Sequence, residues 1–462
     1  MWPAPLELDL AAAWLASPAE IRARQQARWT LLLQAAERGS RYFRQRLAGR
    51  DPAHTPLQAM AATDKAGLMA HFADWVTDPR LELSALRDFT TDPTQVGEPW
   101  LGEYAVWESS GSTGEPTLFV QDAQALAVYD ALEASRRNSP RPWQRLFDPF
   151  YLGERLAFVG AIDGHFASEV TMRRLRRAQP WRAPSWRSFS ILQPIAALAA
   201  ELEAFGPSIV ATYPSAALLL AQEVEQRRLS IAPQEVWTGG ETLTATMRAA
   251  IERGLGCPLR NSYGASEFLP IAWECAHQHL HVNADWVVLE PVDDRGRPVP
   301  AGQPSATTLL TNLANHLQPI IRLDIGDCIT VDESPCGCGC RLPVIEVQGR
   351  NDDMLTLAGQ GGEPVTLLPL ALVSVLEDEV GVVDFRLEQR GPSSLRLLLG
   401  PGQPATAAQA CRRALRAFAA SQGLAPLQLQ LVENHEGSVG RSGKRQRIVA
   451  GPRRRGPLRG RA

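Results

Sequence analysis

The chain has 462 residues, of which 45% are hydrophobic and 21% charged, so it has the material for a folded core and general disorder is excluded. Lys and Arg total 47 against 50 Asp and Glu, a balance that provides no global basic field to hold a nucleic acid or an anionic membrane. The length favours one large and one smaller domain, and leaves open whether the protein is a monomer or a homodimer.

The first 100 residues or so show helical periodicity, for example over residues 19–37. The N-terminus does not read as a secretory signal, because Glu7 and Asp9 stand where early basic residues would be needed. The longest uncharged stretch, residues 204–222, contains Pro207 and Pro214 and predicts a buried strand followed by a buried helix instead of a membrane span. We therefore expect a cytoplasmic protein.

Between residues 107 and 347, short apolar runs alternate with amphipathic helical stretches, which predicts an α/β fold with parallel sheet. Examples of the runs are residues 156–159, 208–210 and 235–237. After residue 349 the pattern changes to two strands (382–388 and 395–399), a helix (406–421) and a strand (427–432). This order predicts a small α+β domain over 350–450, after a large domain over 1–349 and before a basic, disordered tail over 451–462.

A segment rich in hydroxyl residues and glycine runs from Glu108 to Thr117 and reads ESSGSTGEPT. Small residues of this kind let backbone N–H groups and hydroxyls converge on an anion, which favours phosphate binding, although a surface turn has the same composition. No Lys follows Gly114, so the Walker pattern is absent.

Four further segments strengthen the prediction of phosphate binding. Together with residues 108–117 they resemble the motifs of the adenylate-forming enzymes. Residues 109–117 resemble the phosphate-binding signature of that superfamily, and residues 261–267 resemble its Tyr-Gly-x-Thr-Glu motif. Residues 319–327 are similar to the Arg-x-x-Gly-Asp motif, residues 349–354 to the hinge, and residues 440–447 to the C-terminal lysine motif. The five motifs stand in the superfamily's order and cover about residues 105–450.

Three features resemble the phenylacetate-CoA ligase branch of that superfamily: the Cys-rich element before the hinge, the Asp-Asp-Met ending of the hinge motif, and the segment 212–215. The resemblance implies a large α/β domain with mainly parallel sheets and helices that binds ATP and the acid, and a small, mobile α+β lid. It implies an AMP-forming ligase that activates a carboxylic acid as an acyl-adenylate. The resemblance to the phenylacetate-CoA ligase branch favours an aromatic acid. The acyl group then passes to the thiol of CoA.

The resemblance also implies roles for individual residues. Lys444 and Glu267 would be catalytic, with Glu267 a ligand of Mg²⁺, a hard cation that prefers oxygen. Asp327 would accept from the ribose hydroxyls, Tyr263 would pack on adenine, and Asp352 would be the hinge. The other predicted ATP-binding residues are Ser109, Ser110, Gly111, Ser112, Thr113, Gly114, Gly240, Glu241, Ser262, Gly264 and Arg350. The predicted substrate-binding residues are His165, Phe166, Tyr213 and Ala265.

Three of these assignments have open alternatives. His165 is either a gate for the substrate or a core histidine. The acceptor thiol is either CoA or the phosphopantetheine arm of a carrier protein. Ser266 stands where the Tyr-Gly-x-Thr-Glu motif has Thr, and it keeps the hydroxyl. Residues 323–325, between Arg322 and Gly326, differ from the residues usual at this place in the Arg-x-x-Gly-Asp motif. This difference leaves open whether Asp324 adds a second carboxylate.

A second group of residues has the composition of a metal site. Cys275, His281, Cys336 and Cys338 supply three thiolates and one imidazole, a full tetrahedral set for a structural Zn²⁺ that leaves no open position for catalysis. Cys340 is either an alternative zinc ligand or a spare thiol. The alternative interpretation of the whole group is a set of reduced cysteines without metal. His277 and His279 are expected at the surface.

A rival from another class is a nucleotide-binding sensor or scaffold without catalysis. The presence of both Glu267 and Lys444 speaks against it, since a non-catalytic protein has little need of either.

Overall fold

The structure, a computed structural model, describes residues 6–109, 116–136, 142–148, 152–350, 353–367, 369–377, 379–404, 406–435 and 446–451. The helices are α1 (Leu6–Trp14), α2 (Pro18–Gly39), α3 (Arg41–Leu47), α4 (Lys65–Ala70), α5 (Phe72–Trp75), α6 (Leu83–Thr91), α7 (Ala123–Arg136), α8 (Pro142–Phe147), α9 (Ala167–Ala178), α10 (Ile195–Phe205), α11 (Pro214–Glu225), α12 (Ala245–Leu255), α13 (Pro369–Glu377) and α14 (Ala407–Ser421).

The strands are β1 (Ala105–Glu108), β2 (Leu118–Gln121), β3 (Leu156–Gly160), β4 (Trp186–Ser190), β5 (Ile209–Thr212), β6 (Glu235–Gly239), β7 (Leu259–Ala265), β8 (Phe268–Glu274), β9 (Leu280–Val282), β10 (Val287–Val292), β11 (Thr307–Asn312), β12 (Leu323–Asp324), β13 (Asp327–Asp332), β14 (Val344–Arg350), β15 (Leu355–Ala358), β16 (Pro364–Leu367), β17 (Phe385–Gly391), β18 (Ser394–Leu399), β19 (Gln428–Val432) and β20 (Ile448–Val449). Short 3₁₀ turns span Leu57–Ala59, Pro93–Gln95 and Pro180–Ser185.

The N-terminal segment is helical, as its periodicity predicts. Helix α2 begins at a capping box: the Glu20 N–H donates to the Ser17 hydroxyl, and the Ser17 N–H donates to the Glu20 carboxylate. One face of α2 then buries Trp29, Leu32 and Leu33 in the core of the large domain. The helices therefore pack on the sheets that follow them.

The centre of the molecule is a nine-stranded sheet in the order β13-β14-β9-β8-β7-β6-β5-β3-β4. Strands β4, β3, β5, β6 and β7 pair in parallel, and the remaining neighbours pair antiparallel. The α/β class is confirmed, and the parallel pairing is confined to the part where helices alternate with strands, since each parallel crossover needs a long connection. The predicted strand and helix over 204–222 are β5 and α11.

Described residues between Leu355 and Ile448 form a second apolar cluster, built around the four-stranded sheet β19-β18-β17-β20 with α13 and α14. Strand β17 begins at Phe385, three residues after the predicted start of the strand. Helix α14 begins at Ala407, one residue after the predicted start of the helix. The hairpin β15–β16 and helix α13 were not predicted. The position of the domain boundary near residue 350 stays a prediction.

Among the helices within the described ranges, none combines the length and the apolar character that crossing a bilayer requires.

Candidate functional site

The predicted Mg²⁺ ligand Glu267 lies in the turn between β7 and β8, and its side chain is 3% exposed. Two long-range hydrogen bonds hold this turn. The Asn312 side chain donates to the carbonyl of Glu267 (2.9 Å), and the Trp107 indole donates to the carbonyl of Ser266 (2.8 Å). The carboxylate is therefore fixed by β11 on one side and by β1, which leads into the predicted phosphate loop, on the other.

Three predicted ATP-binding residues meet at one side of the sheet: Asp327 and Arg350 are paired on the neighbouring strands β13 and β14, and Tyr263 reaches them from β7. The Tyr263 hydroxyl donates to Oδ2 of Asp327 (2.6 Å), and Nε of Arg350 lies 4.0 Å from Oδ1 of the same carboxylate. Burial raises the pKa of Asp327, while the positive charges of Arg350 and Lys65 oppose that rise. Burial, with the Asp327 carboxylate as acceptor, raises the pKa of Tyr263 well above its usual value. Tyr263 is therefore a neutral hydrogen-bond donor.

Two glycines of the predicted site are explained by close approach and backbone conformation. A Cβ at Gly264 would lie 1.9 Å from the carbonyl oxygen of Leu269 on β8, so only glycine fits where β7 and β8 converge. Gly240 has a φ of +79° in the turn after β6. These positions bring backbone close to the site without obstruction by side chains.

The neck of the predicted phosphate loop is closed by Ser109 and Thr117. The Ser109 N–H donates to the carbonyl of Thr117 (2.8 Å), and the Thr117 N–H donates to the Ser109 hydroxyl (3.0 Å). The Ser109 hydroxyl thus helps to form the loop, which lies between β1 and β2. Ser110, Gly111, Ser112, Thr113 and Gly114 lie outside the described residues, as do Asp352 and Lys444.

Two of the predicted nucleotide residues have structural partners. Both carboxylate oxygens of Glu241 accept from Ser215, one from its N–H and one from its hydroxyl (3.0 Å each), at the start of α11. The Ser262 hydroxyl donates to the carbonyl of Thr238 (3.2 Å). Asp324 is also occupied: its Oδ1 accepts from the Thr307 hydroxyl (2.5 Å) and the Gly326 N–H (3.0 Å). These bonds shape the strand ends around the site.

The predicted substrate residues lie immediately before α9, immediately before α11 and at the end of β7. Tyr213 is buried just before α11, and burial raises the pKa of its hydroxyl to about 12. His165 is 1% exposed, its ring is tilted against that of Phe89 (5.0 Å between centroids, 58° between planes), and its Nε2 lies 3.2 Å from the carbonyl of Asp92. Phe166 is buried next to Glu108, and Ala265 is half-buried at the end of β7. In this conformation His165 is packed against the N-terminal helices, and its gating role stays a prediction.

A residue of this site that sequence reasoning missed is Lys65, the first residue of α4. Its ammonium lies 2.6 Å from Oε1 of Glu267. One signal could have found it: of the 47 basic residues only Lys65 and Lys444 are lysines, and the other 45 are arginines.

The four predicted metal ligands converge at one edge of the large sheet. Their ligand atoms all lie within 4.8 Å of one another, with 3.8 Å between the sulfurs of Cys275 and Cys336 and 3.3 Å between the Cys338 sulfur and Nε2 of His281. Four ligands about 2.0–2.3 Å from a tetrahedral Zn²⁺ would be separated by about 3.3–3.8 Å, so the donor set fits this ion.

The surroundings of the cluster orient its ligands. Nδ1 of His281 lies 2.9 Å from the carbonyl of Leu342, which selects the tautomer that leaves Nε2 free for a metal. The N–H of Cys340 donates to the Cys338 sulfur (3.4 Å), and burial raises the pKa of the Cys340 thiol to about 11. Cys340 therefore contacts the cluster through its backbone N–H, and its role as an alternative ligand stays a prediction. His277 and His279 are exposed, as predicted, although Nδ1 of His279 lies 3.3 Å from the Cys336 sulfur.

Known proteins of similar sequence or fold include CoA ligases. No model of a known protein family matches the chain. Over 284 residues the chain is 28% identical to the phenylacetate-coenzyme A ligase of Thermus thermophilus, a match that covers 59% of this chain and 59% of that relative's length.

Solved structures cover more of the chain. A 2-hydroxyisobutyryl-CoA ligase in the postadenylation state, in complex with R3-HIB-AMP, superposes with a TM-score of 0.70 at 19% identity, covering 96% of this chain and 92% of that one. An anthranilate CoA ligase in complex with anthranoyl-AMP superposes with a TM-score of 0.50 at 19% identity, over 74% of this chain and 65% of that one.

The chain has the fold of the adenylate-forming CoA ligases. The fold that the five motifs imply is thereby confirmed, and part of the chain matches the sequence of the phenylacetate-coenzyme A ligase of Thermus thermophilus.

Proposed function

We propose that this protein is an ATP-dependent, AMP-forming ligase that activates a carboxylic acid and transfers the acyl group to the thiol of CoA. The observation that carries the proposal is the convergence of Glu267, Tyr263, Asp327 and Arg350 at the ends of β7, β13 and β14. An aromatic acid is favoured by the similarity to a phenylacetate-coenzyme A ligase and by the buried aromatic side chains of Phe166 and Tyr213.

The reaction has two balanced steps. A carboxylate oxygen of the acid attacks the α-phosphorus of ATP, the bond to the β-phosphate breaks, and pyrophosphate leaves. The thiolate sulfur of CoA then attacks the acyl carbon, and AMP leaves. Such transfers depend on positioning and on neutralisation of charge around the phosphorus.

Each part of the site has a role in this scheme. Asp327 accepts from the ribose hydroxyls, Tyr263 orients that carboxylate and packs on adenine, and Arg350 balances its charge. Glu267 would hold Mg²⁺, which neutralises phosphate charge when it is bound. Lys444 would bring a point charge to the α-phosphate during adenylation. The Cys/His cluster would hold a structural Zn²⁺ away from this chemistry.

Acid-dependent exchange of labelled pyrophosphate into ATP, over a panel of aryl and short-chain acids, tests the proposal and identifies the acid. We expect Glu267→Gln to lower exchange by about 10²-fold, the scale for loss of one preorganised electrostatic group. Glu274→Gln is the matched control, because Glu274 is also a buried carboxylate of this sheet and pairs with Arg248. It should affect stability and leave the Mg²⁺ dependence unchanged.

The acceptor is identified in the second half of the same experiment. Thioester formation is measured with CoA and, separately, with a phosphopantetheinylated carrier protein. Binding of ATP without exchange for any acid would contradict the ligase and support the nucleotide-binding sensor instead.

A further inference from the structure

The carboxylate of Glu377, the last residue of α13, is buried where the predicted small domain meets the large one. Its side chain is 0% exposed. Oε2 accepts from the hydroxyl of Thr244, and Oε1 pairs with the guanidinium of Arg447. A buried carboxylate is costly unless it is paired and hydrogen-bonded, so the loss of either partner would be unfavourable.

The hydroxyl of Thr244 makes two contacts at the start of α12. As the N-cap of this helix it accepts from the N–H of Met247 (3.1 Å), and it donates to Glu377. Thr244 follows the turn after β6 that contains the predicted nucleotide residues Gly240 and Glu241. The contact therefore attaches α13 to a part of the large domain that borders the candidate nucleotide site.

Arg447 stands three residues after Lys444 of the C-terminal lysine motif and directly before β20. Its carbonyl accepts from the N–H of Leu387 on β17 (2.7 Å), and its guanidinium lies over the ring of Phe385, 5.5 Å from the centroid. The pair with Glu377 thus reaches a segment that is fixed to the four-stranded sheet. Because only two residues separate Arg447 from Lys444 in the chain, whatever holds Arg447 also limits the positions that Lys444 can take.

A second contact joins the lysine motif to the nucleotide site. Gln446 belongs to this motif, and its Nε2 donates to Oδ1 of Asp353 (2.5 Å). Burial raises the pKa of the Asp353 carboxyl to about 6, and the nearby charges of Arg350 and Asp327 act on it in opposite directions. The end of the lysine motif therefore lies beside the residues to which ribose binding is assigned. Adenylation requires this arrangement, because Lys444 has to reach the α-phosphate.

On the basis of the proposed function, we propose that Glu377 is a positioning residue for Lys444, whose contacts with Thr244 and Arg447 hold the small domain in the orientation for adenylation. The contact with Thr244 joins the two domains, so it has to break when the small domain rotates. The pair with Arg447 lies within the small domain and moves with it. Glu377 thus sets the fraction of molecules in which Lys444 faces the nucleotide, since a contact made in only one of two orientations shifts the equilibrium between them.

The first test separates the two half-reactions. Thr244→Asp keeps an acceptor that can cap α12, removes the donor and places a like charge against Glu377. Pyrophosphate exchange should fall by about tenfold or more, the scale for loss of a hydrogen bond to a charged group, and transfer from supplied acyl-adenylate to the thiol should fall less than about twofold. Thr244→Ser keeps both the cap and the donor, and it should retain both half-reactions. Unchanged exchange in Thr244→Asp, or equal loss of both half-reactions, would overturn the proposal.

The second test is a rescue. Glu377→Gln alone should lower exchange by about tenfold, because the amide is a weaker acceptor for Thr244 and Arg447. In the double variant Thr244→Asp/Glu377→Gln, the new amide can donate to the new carboxylate, so the hydrogen bond returns with reversed polarity. Exchange should then exceed that of Thr244→Asp by about threefold or more, which general destabilisation would not produce. Exchange at or below the product of the two single effects would overturn the contact.

A third measurement needs no substrate. Amide hydrogen exchange, measured by peptide mass spectrometry, should be faster in α13 of Thr244→Asp than in the unmodified protein, because the helix has lost its anchor on the large domain. It should be unchanged in Thr244→Ser. Glu388→Gln is the matched control: Glu388 is a partly buried carboxylate that pairs with Arg386 (3.0 Å) within the small domain, so both half-reactions and α13 should be unaffected.

The two proposals can fail separately. Absence of pyrophosphate exchange with every acid in the unmodified protein would contradict the ligase function. Hydrogen exchange in α13 would still decide whether Glu377 holds the two domains together, and an unchanged rate in Thr244→Asp would overturn that role.

Discussion

The hydroxyl of Tyr263 donates a hydrogen bond of 2.6 Å to Oδ2 of Asp327, and this contact joins two motifs that are 64 residues apart. It places a neutral donor on one oxygen of the carboxylate and leaves the other facing Arg350. The carboxylate is therefore held in one orientation before any nucleotide arrives, which reduces the ordering that binding would otherwise require.

We expect Asp327→Asn to raise the KM for ATP by about 10–100-fold, because hydrogen bonds to a charged acceptor are worth about 1.5–3 kcal/mol. Tyr263→Phe keeps the ring and removes only the hydroxyl, so its KM should rise by less than about tenfold. Initial rates of pyrophosphate exchange against ATP concentration provide both values. A larger effect in Tyr263→Phe would contradict the role of Asp327 as the ribose ligand.

The Cys/His cluster predicts about one Zn²⁺ per chain in freshly purified, reduced protein. Cys275→Ser or Cys338→Ser should lower both the zinc content and the melting temperature, because structural zinc contributes folding free energy directly. Cys411→Ser alters a buried thiol of the other apolar cluster, and this variant should keep its zinc. Elemental analysis and thermal unfolding supply the measurements, and protein that contains no zinc would refute the assignment.

The two proposed orientations of the small domain predict opposite defects in two variants. Lys444→Ala should abolish pyrophosphate exchange and leave transfer from supplied acyl-adenylate to the thiol largely intact. Asp352→Pro should do the reverse, because a φ fixed near −65° cannot absorb the torsion change of a rotation. Each half-reaction is measured separately. Equal loss of both half-reactions in both variants would indicate general destabilisation and remove the support for a rotation.

Asp353, next to the predicted hinge residue, predicts a pH dependence of stability. Burial raises the pKa of its carboxyl to about 6, and the hydrogen bond from Gln446 (2.5 Å) opposes this shift. A carboxyl with a raised pKa holds its proton more firmly in the folded state, so its contribution to stability falls as pH rises from about 4 to 6. Asp353→Asn should therefore melt roughly 1–3 °C above the unmodified protein at pH 7.5, with no such gain near pH 4.

Asp332→Asn supplies a control of opposite sign. Hydrogen bonds from Ser334 lower the pKa of the Asp332 carboxyl, so this charge stabilises the folded state above its unfolded pKa. Asp332→Asn should lower the melting temperature at pH 7.5, and the loss should shrink as pH falls through the lowered pKa. Melting temperatures of both variants are measured across this pH range and compared with those of the unmodified protein. Shifts of the same sign at pH 7.5 in the two variants would contradict the assigned pKa directions of Asp353 and Asp332.

Much of the site was predictable because its chemistry is encoded locally. Within each of the five motifs the residues are close together in the chain, and the order of the motifs was enough to select Tyr263, Glu267 and Asp327. The spacing of Cys275, His281, Cys336 and Cys338 likewise identified a donor set whose atoms the fold brings within 4.8 Å. In such cases the residue types already restrict the ligand.

The sequence by itself determined the α/β class and selected the candidate nucleotide and metal-binding residues, because periodicity, glycine positions and ligand chemistry are local properties. Only the tertiary structure decided that Glu241 binds Ser215, that the His165 ring packs near Phe89, and that Lys65 reaches Glu267. Each of these contacts joins segments far apart in the chain. Their geometry comes from how helices and strands pack on one another, which no local pattern of residues contains.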